Sequence, residues 1–194
     1  MYGRRLYPLL LNGDNMKMKN SGKVAFLGIL TALSLVCLLI TAQPLATVGL
    51  AAMAALFGIP VVVEWGRLTG CLHFAAVCLL AAVLIPSVEG KLMYVCFFGH
   101  YTVVKAWLEH LPLPRWVEYV LKILVFLLSV VGYGGAWYTL TDPALPEWFQ
   151  LWMLAPAVGV LTVLFVVYDR CLSGVATLYM RRLHPLVSRL FRFP

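Results

Sequence analysis

Five ionisable residues lie within or at the ends of long apolar segments. Lys105 and Lys122 are inside two such segments, Glu64 and Asp169 end two others, and Arg170 follows Asp169. Moving a charge into the hydrocarbon layer of a membrane costs several kcal/mol unless the charge is paired or hydrated. Two Lys residues and two acids at similar depth therefore favour an inner polar cluster formed by these five residues. Long Lys and Arg side chains near helix ends can instead reach the lipid headgroups, and this alternative stays open.

Aromatic residues precede Lys105 at helical spacing. Tyr94, Phe98, Tyr101 and Lys105 follow one another at intervals of four, three and four residues, which places them on one face of a helix. Aromatic rings stack on flat organic molecules, and His100 can donate or accept a hydrogen bond near the middle of the membrane. These five residues form the predicted binding site for a small-molecule ligand. Ordinary packing inside a helical bundle is the alternative for the aromatic residues.

A stripe of small residues lies on the first apolar segment. Ala25, Gly28 and Ala32 recur at helical spacing and therefore share one face. Within lipid, small residues allow two helix backbones to approach closely. The stripe is a candidate docking surface for a separate membrane subunit, and packing within this chain is the alternative.

Signatures of catalysis are absent from the sequence. It contains no G-x-S-x-G nucleophile motif, no H-E-x-x-H zinc motif and no phosphate-binding loop. The five cysteines form no C-x-x-C pair and no His/Cys spacing typical of zinc, so we interpret them as buried apolar residues. We expect no catalytic residue, no metal and no cofactor, and the protein is not predicted to be an enzyme.

The composition assigns the apolar segments to a membrane. Of the 194 residues, 62% are hydrophobic and 12% are charged, whereas soluble domains have about 45–50% apolar and about 25% charged residues. A disordered chain would need low hydrophobicity and high charge, which is the opposite balance. The chain is therefore predicted to be an all-α polytopic membrane protein.

Six apolar segments approach the length of a membrane span. A hydrocarbon core of about 30 Å needs about 20 apolar residues per helix. The segments are bounded by charged residues, Pro or Gly, and the second and third are separated by Glu64, Gly66 and Arg67. We predict six transmembrane helices over residues 24–41, 44–63, 68–85, 92–108, 116–138 and 148–167.

Most Lys and Arg residues fall on one side of this arrangement. By the positive-inside rule both termini are cytoplasmic, and the connections near 42–43, 86–91 and 139–147, where Lys91 is the only basic residue, are outside. The net charge of +7 is thus an orientation signal, and no nucleic-acid partner is predicted. The predicted organisation is a cytoplasmic tail over 1–22, a six-helix transmembrane domain over 23–170 and a basic cytoplasmic helix or tail over 171–194.

The first of the six predicted spans opens with Lys23-Val-Ala-Phe-Leu-Gly-Ile-Leu-Thr-Ala-Leu-Ser34. With this opening, the chain resembles the substrate-binding S components of energy-coupling factor (ECF) transporters. Three further stretches are similar to an S-component-like group from Gram-positive anaerobes, and the resemblance covers roughly residues 20–185. These stretches are Phe57-Gly-Ile-Pro-Val-Val-Val-Glu64, Phe97-Phe-Gly-His-Tyr-Thr-Val-Val-Lys105 and Tyr168-Asp-Arg-Cys-Leu172.

The resemblance implies a function and a set of partners. An S-component-like bundle in the bacterial cytoplasmic (inner) membrane would bind a vitamin or similar micronutrient near its outer face. It would then topple in the membrane when an ATPase pair drives the ECF coupling transmembrane subunit. Ala25, Gly28 and Ala32 correspond to the family's docking positions, and ATP hydrolysis belongs to the partners. The resemblance transfers no ligand-binding residue.

Two other classes of function remain open. The rod-shape protein MreD has a similar six-helix build and acts as a scaffold, so a membrane adaptor that transports nothing is the main alternative. A stand-alone secondary carrier is the third reading, with Glu64, Lys105, Lys122 and Asp169 as a proton or ion relay.

Overall fold

The computed structural model describes residues 20–41, 46–112, 114–141, 154–185 and 187, and every regular element in these ranges is helical. This confirms the all-α class for the described residues. Two π-helical segments accompany the α-helices: Tyr94–Phe98 connects α4 to α5, and Tyr179–Leu183 continues α7. The helices are α1 (Asn20–Ile40), α2 (Thr47–Leu56), α3 (Gly58–Leu84), α4 (Val88–Met93), α5 (Gly99–His110), α6 (Arg115–Thr141) and α7 (Leu154–Leu178).

Several predicted features lie outside the described residues. They are most of the N-terminal tail, the connection at 42–43, most of the connection at 139–147, the first residues of the sixth predicted span and the end of the C-terminal tail. The predicted domain boundary at 170–171 falls inside α7, which runs on without a break to Leu178 and then into the π-helical segment Tyr179–Leu183.

Four helical stretches are long and apolar enough to cross a membrane: Gly22–Ile40, Gly58–Leu84, Trp116–Leu140 and Val158–Leu183. The second of them is interrupted at Gly66, which leaves 67–84 as its long part. These stretches carry large apolar side chains on their outer faces. Leu68, Val83 and Val131, for example, are 78%, 83% and 73% exposed. Soluble proteins rarely expose such continuous apolar surface, whereas lipid chains cover it without cost. The surface is therefore compatible with a membrane-embedded protein.

The chain reverses direction within α3, at Gly66, which has a φ of 79° and a ψ of −180°. Residues on the two sides of Gly66 pack against each other. A Cβ atom added to Gly70 would lie 2.5 Å from Cγ2 of Val62, and one added to Gly58 would lie 3.8 Å from Cδ2 of His73. In each pair, the two residues lie at nearly equal distances in sequence before and after Gly66. α3 therefore consists of two antiparallel arms, 58–65 and 67–84. The reversal falls between the second and third predicted spans.

We expect Gly66→Ala to lower the free energy of unfolding by about 1–2 kcal/mol, because a positive φ brings Cβ close to the backbone. The measurement is unfolding by SDS in mixed micelles. Gly28→Ala is the matched control, since neither glycine has an atom within 4 Å of its added Cβ and Gly28 is an ordinary helical residue. Equal effects of the two substitutions would contradict the role of the positive φ.

Proline explains the break between α2 and the first arm of α3. Pro60 lies in the first turn of α3, and a proline ring clashes with the carbonyl group four residues earlier, here that of Leu56. α2 therefore ends at Leu56, and the helix resumes at Gly58 after the turn at Phe57.

Small side chains make up much of one core cluster of the bundle. Ala51, Ala54 and Ala81 are buried together with Leu38 and Tyr94, which brings α1, α2, the second arm of α3 and the segment after α4 together. In α1 the buried hydroxyl of Ser34 donates to the carbonyl oxygen of Ala54 at 3.0 Å. These contacts hold α2 against α1, the second arm of α3 and the segment after α4.

The cysteines are less buried than the sequence predicts. Cys71 and Cys171 are exposed, while Cys37, Cys78 and Cys96 are only half-buried, and all five are free thiols. The prediction of buried cysteines is therefore wrong. The prediction assumed that residues of apolar segments lie in a protein core. In these helices, many of the large apolar side chains are instead exposed on the surface.

Candidate functional site

A buried ion-pair network joins α5, α6 and α7. Lys105 lies on α5, Lys122 on α6 and Asp169 on α7, and the side chains are 4%, 5% and 8% exposed. The ammonium of Lys105 contacts Asp169 Oδ1, and that of Lys122 lies 3.4 Å from the same oxygen. Lys105, Lys122 and Asp169, three residues of the predicted inner cluster, therefore meet in one place.

Two glutamates complete the network. Glu109 Oε1 lies 3.1 Å from Lys105 Nζ and 2.9 Å from Lys122 Nζ, so one carboxylate bridges both ammonium groups. Glu118 Oε1 lies 3.0 Å from Lys122 Nζ. The sequence reasoning omitted both glutamates, although each stands four residues from its lysine, at the spacing where helical side chains meet.

Hydrogen bonds fix the position of Asp169. The hydroxyl of Tyr101 donates to Asp169 Oδ1 at 2.7 Å, and Lys105 Nζ donates to the backbone carbonyl of Asp169 at 2.9 Å. The side chain of Asp169 thus has partners on both neighbouring helices. Because a carboxylate in a low-dielectric region is costly unless it is paired and hydrogen-bonded, these contacts allow it to be buried.

The network contains one more acid than base. Glu109, Glu118 and Asp169 face the two ammonium groups of Lys105 and Lys122. With every group ionised, these five side chains carry a formal charge of −1.

Glu64 and Arg170 lie outside this network. Glu64, whose side chain is 1% exposed, accepts hydrogen bonds from the hydroxyl of Tyr179 at 2.8 Å and faces Nδ1 of His184 at 2.8 Å. Arg170 donates to the hydroxyl of Tyr119 at 2.9 Å, and its guanidinium lies 5.8 Å from the centre of that ring. Glu64 therefore connects the first arm of α3 to the π-helical segment Tyr179–Leu183 and to His184, which follows it.

A cavity of about 370 Å³ lies between α2, the Tyr94–Phe98 segment, α5, α6 and α7. Phe98 and Tyr101, two residues of the predicted ligand site, are on its wall. Sequence reasoning missed most of the remaining wall, because the residues come from helices whose relative positions are set only by folding. They include Phe97, Phe126, Ser129, Tyr133, Phe165 and Tyr168.

The other three predicted ligand residues do not line the cavity. Tyr94 is buried in the core, with its ring centre 6.0 Å from that of Phe74. Lys105 belongs to the ion-pair network. His100 Nδ1 lies 3.1 Å from the carbonyl oxygen of Val95, and Nε2 lies 3.3 Å from the hydroxyl of Ser129. His100 therefore contacts the cavity wall through its hydrogen bond with Ser129.

Tyr101 belongs to both the cavity and the network. It contributes to the cavity wall while its hydroxyl bonds to Asp169. Its ring also packs edge-on against Phe165, another wall residue, at 4.9 Å between centres. A change in the cavity can therefore reach the ion pairs through a single side chain.

The stripe of small residues faces outward. Ala25, Gly28 and Ala32 are exposed on α1, and a Cβ added to Gly28 would meet no atom within 4 Å in the part of the chain that the structure describes. Within that part, no neighbouring helix covers the stripe closely. Its surface is free to contact another molecule or lipid.

No group of three or more His, Cys, Asp or Glu residues among the described residues is arranged to hold a metal ion. The chain was also compared with models of protein families, with curated proteins and with solved structures. None of the three comparisons finds a match.

Proposed function

We propose that the protein is the substrate-binding membrane subunit of an ECF-type importer for a vitamin or similar micronutrient. The observation that carries this proposal is the cavity of about 370 Å³, whose size falls within the range of about 300–1,000 Å³ typical of small-molecule sites. A scaffold protein would need no such space.

The proposal includes a six-span topology in the bacterial cytoplasmic membrane, with both termini inside. The reversal at Gly66 supports it, because this residue separates a second span, made of α2 and the first arm of α3, from a third. The fourth span would be the continuous helical stretch 88–110. In this topology the cavity would begin near the outer ends of the second and fourth spans, at Gly49 and Met93, and would extend inward to Tyr101 and Phe126 near the middle of the fourth and fifth spans.

The outward-facing stripe Ala25, Gly28 and Ala32 supports a docking role. Helix association in lipid depends on close backbone approach, and an uncovered small-residue face allows it. In this proposal the coupling transmembrane subunit packs on the stripe, and an ATPase pair supplies the energy. The protein itself binds the substrate, changes its own orientation in the membrane and then releases the substrate on the cytoplasmic side.

Purification from native membranes tests the assembly. We expect the wild-type protein to bring down a coupling subunit and an ATPase pair, identified by mass spectrometry. Gly28→Leu/Ala32→Leu should reduce this recovery about tenfold, because two bulky side chains keep the helices apart. The control is Gly132→Leu/Gly135→Leu on α6, where added atoms also meet open space.

Two outcomes would contradict the proposal. Recovery of cytoskeletal or cell-wall proteins without ATPases would favour the MreD-like scaffold. Equal loss of recovery in both double variants, with equal loss of thermal stability, would show that the stripe serves folding.

A stand-alone secondary carrier is a second candidate, supported by the buried charged side chains that join α5, α6 and α7. A carboxylate of this network can take up a proton during transport. Liposomes that contain the protein and no ATPase would then show proton-coupled substrate flux. Lys105→Ala should abolish it, and Glu118→Gln, a milder change, should alter its pH dependence. Flux that persists unchanged in both variants would exclude the relay.

A further inference from the structure

We propose that the cavity binds an uncharged, mostly apolar ring compound that carries one hydrogen-bond acceptor, and that this compound enters from the lipid side. This inference rests on the proposed function only in that the protein binds a small molecule. It concerns the chemical class of that molecule and its route of entry.

The absence of ionised side chains on the wall indicates a neutral ligand. Among the described residues, the cavity is lined by apolar and aromatic side chains with a few hydroxyl groups, and no Lys, Arg, Asp, Glu or His is on the wall. The nearest buried charge, Asp169, is already paired with Lys105 and Lys122. A charged ligand would therefore be buried without a partner, which is strongly unfavourable.

The aromatic rings on the wall suit a flat ligand. Phe126 and Phe165 stack at 4.6 Å between centres with an angle of 22° between planes, which forms a flat double layer at the cavity. Phe97 and Tyr133 approach to 5.5 Å on another part of the wall. Aromatic faces and edges attract one another in offset and edge-on geometries, so a ring compound fits these surfaces better than a branched aliphatic one.

A buried hydroxyl without a partner identifies a polar contact. Tyr168 lines the cavity, and its buried hydroxyl has no hydrogen-bond partner among the described residues. Two other wall hydroxyls are engaged: Ser129 donates to the Val125 carbonyl at 2.9 Å, and Tyr101 donates to Asp169. Tyr133 is also on the wall, but its hydroxyl is not among the buried unpaired atoms of the described residues. A buried donor without a partner is costly, and an acceptor on the ligand that reaches the Tyr168 hydroxyl after a small shift of that side chain would satisfy it.

Exposed residues on the wall indicate the route of entry. Val48, Leu161 and Leu164 line the cavity and are 52%, 41% and 58% exposed. They belong to α2 and α7, and their exposure shows that the cavity reaches the surface of the bundle at these residues. In a membrane these side chains would contact lipid chains, so an apolar compound dissolved in the bilayer reaches the cavity without crossing water.

Three naphthalene compounds of similar size, substituted at the same ring position, test the inference. Acetylnaphthalene is neutral and has an acceptor, ethylnaphthalene is neutral without one, and naphthoate is an anion. Binding is measured by equilibrium dialysis against the full chain in lipid nanodiscs, with empty nanodiscs as the blank. We expect saturable binding of acetylnaphthalene, and binding of naphthoate weaker by about tenfold or more.

Variants locate the binding. Tyr168→Phe should weaken acetylnaphthalene binding about fivefold and leave ethylnaphthalene binding within about twofold, since only the first accepts the hydroxyl's hydrogen bond. Its thermal midpoint should be unchanged or higher, because the hydroxyl has no partner to lose. Ala52→Phe and, independently, Leu161→Trp place a large side chain on the cavity wall and should abolish saturable binding of both neutral probes.

Each contrary result overturns the inference. Naphthoate binding as tight as that of acetylnaphthalene would contradict a neutral ligand, and equal effects of Tyr168→Phe on both neutral probes would remove the role of the hydroxyl. Uptake no greater than in empty nanodiscs would mean that lipid chains alone fill the cavity. The result is separable from the proposed function, because binding by the isolated chain does not depend on recovery of ATPases.

Discussion

Lys105→Met is expected to lower the free energy of unfolding by about 3–5 kcal/mol, the cost of removing one partner from a buried ion pair. Methionine fills a similar volume, so the loss comes from the charge. Lys105 contacts Asp169 and Glu109, and without it Lys122 is the only lysine or arginine among the described residues that forms an ion pair with these two carboxylates. Unfolding by SDS in mixed micelles, followed by tryptophan fluorescence, measures the change.

Removal of an acid should cost much less. Glu118→Gln leaves two carboxylates facing two ammonium groups, and Lys122 keeps Glu109 at 2.9 Å and Asp169 at 3.4 Å. We expect a loss below about 1 kcal/mol. The double variant Lys105→Met/Asp169→Asn should be more stable than the sum of its single variants predicts, by about 0.5–3 kcal/mol. If Lys105→Met lowers the free energy of unfolding no more than Glu118→Gln does, the charge balance assigned to the network is wrong.

Gly99→Ala is expected to lower the free energy of unfolding by about 1–3 kcal/mol through overpacking. An added Cβ would lie 2.7 Å from Cε1 of Tyr94 and 2.8 Å from Cε2 of Phe74. Both atoms belong to rigid rings, and Tyr94 is 2% exposed, so neither ring can move away without disturbing the core. Gly99 directly follows the π-helical segment Tyr94–Phe98. Because Gly99 has no side chain, the ring of Tyr94, the first residue of that segment, can pack against it.

Gly132→Ala is the matched control for this prediction. It replaces a glycine inside α6 whose added Cβ meets no described atom within 4 Å. Alanine favours helices over glycine by about 1 kcal/mol, so this variant should be as stable as the wild type or more stable. Similar losses in the two variants would show that helix propensity, rather than contact with Tyr94 and Phe74, decides the outcome.

The predicted inner cluster illustrates how far sequence reasoning reaches. The cost of an isolated charge in an apolar segment was enough to bring Lys105, Lys122 and Asp169 together in the prediction, and the structure places them in contact. Glu64 and Arg170 were predicted to join them because they lie at a similar depth in the membrane. Residues at the same depth can lie on different helix faces, and depth alone does not distinguish such residues. Glu64 instead meets Tyr179 and His184, which are more than a hundred residues away in sequence.

The predicted ligand site shows what helical spacing in the sequence cannot predict. Helical spacing placed Tyr94, Phe98, Tyr101 and Lys105 on one face, and only Phe98 and Tyr101 line the cavity. The π-helical segment Tyr94–Phe98 lies within this stretch and departs from the regular α-helical spacing on which the prediction relied. Tyr94 consequently lies in the core.

The sequence alone determined that the protein is helical and apolar on its surface, because hydrophobic periodicity and segment length are local properties. Gly66 with its charged neighbours likewise marked the reversal between two arms. The sequence does not show which acids pair with Lys105 and Lys122 or which rings enclose the cavity. Those contacts join residues from separate helices, and their relative rotation and depth depend on packing among all of them at once. The double role of Tyr101, on the cavity wall and bonded to Asp169, is a product of that packing.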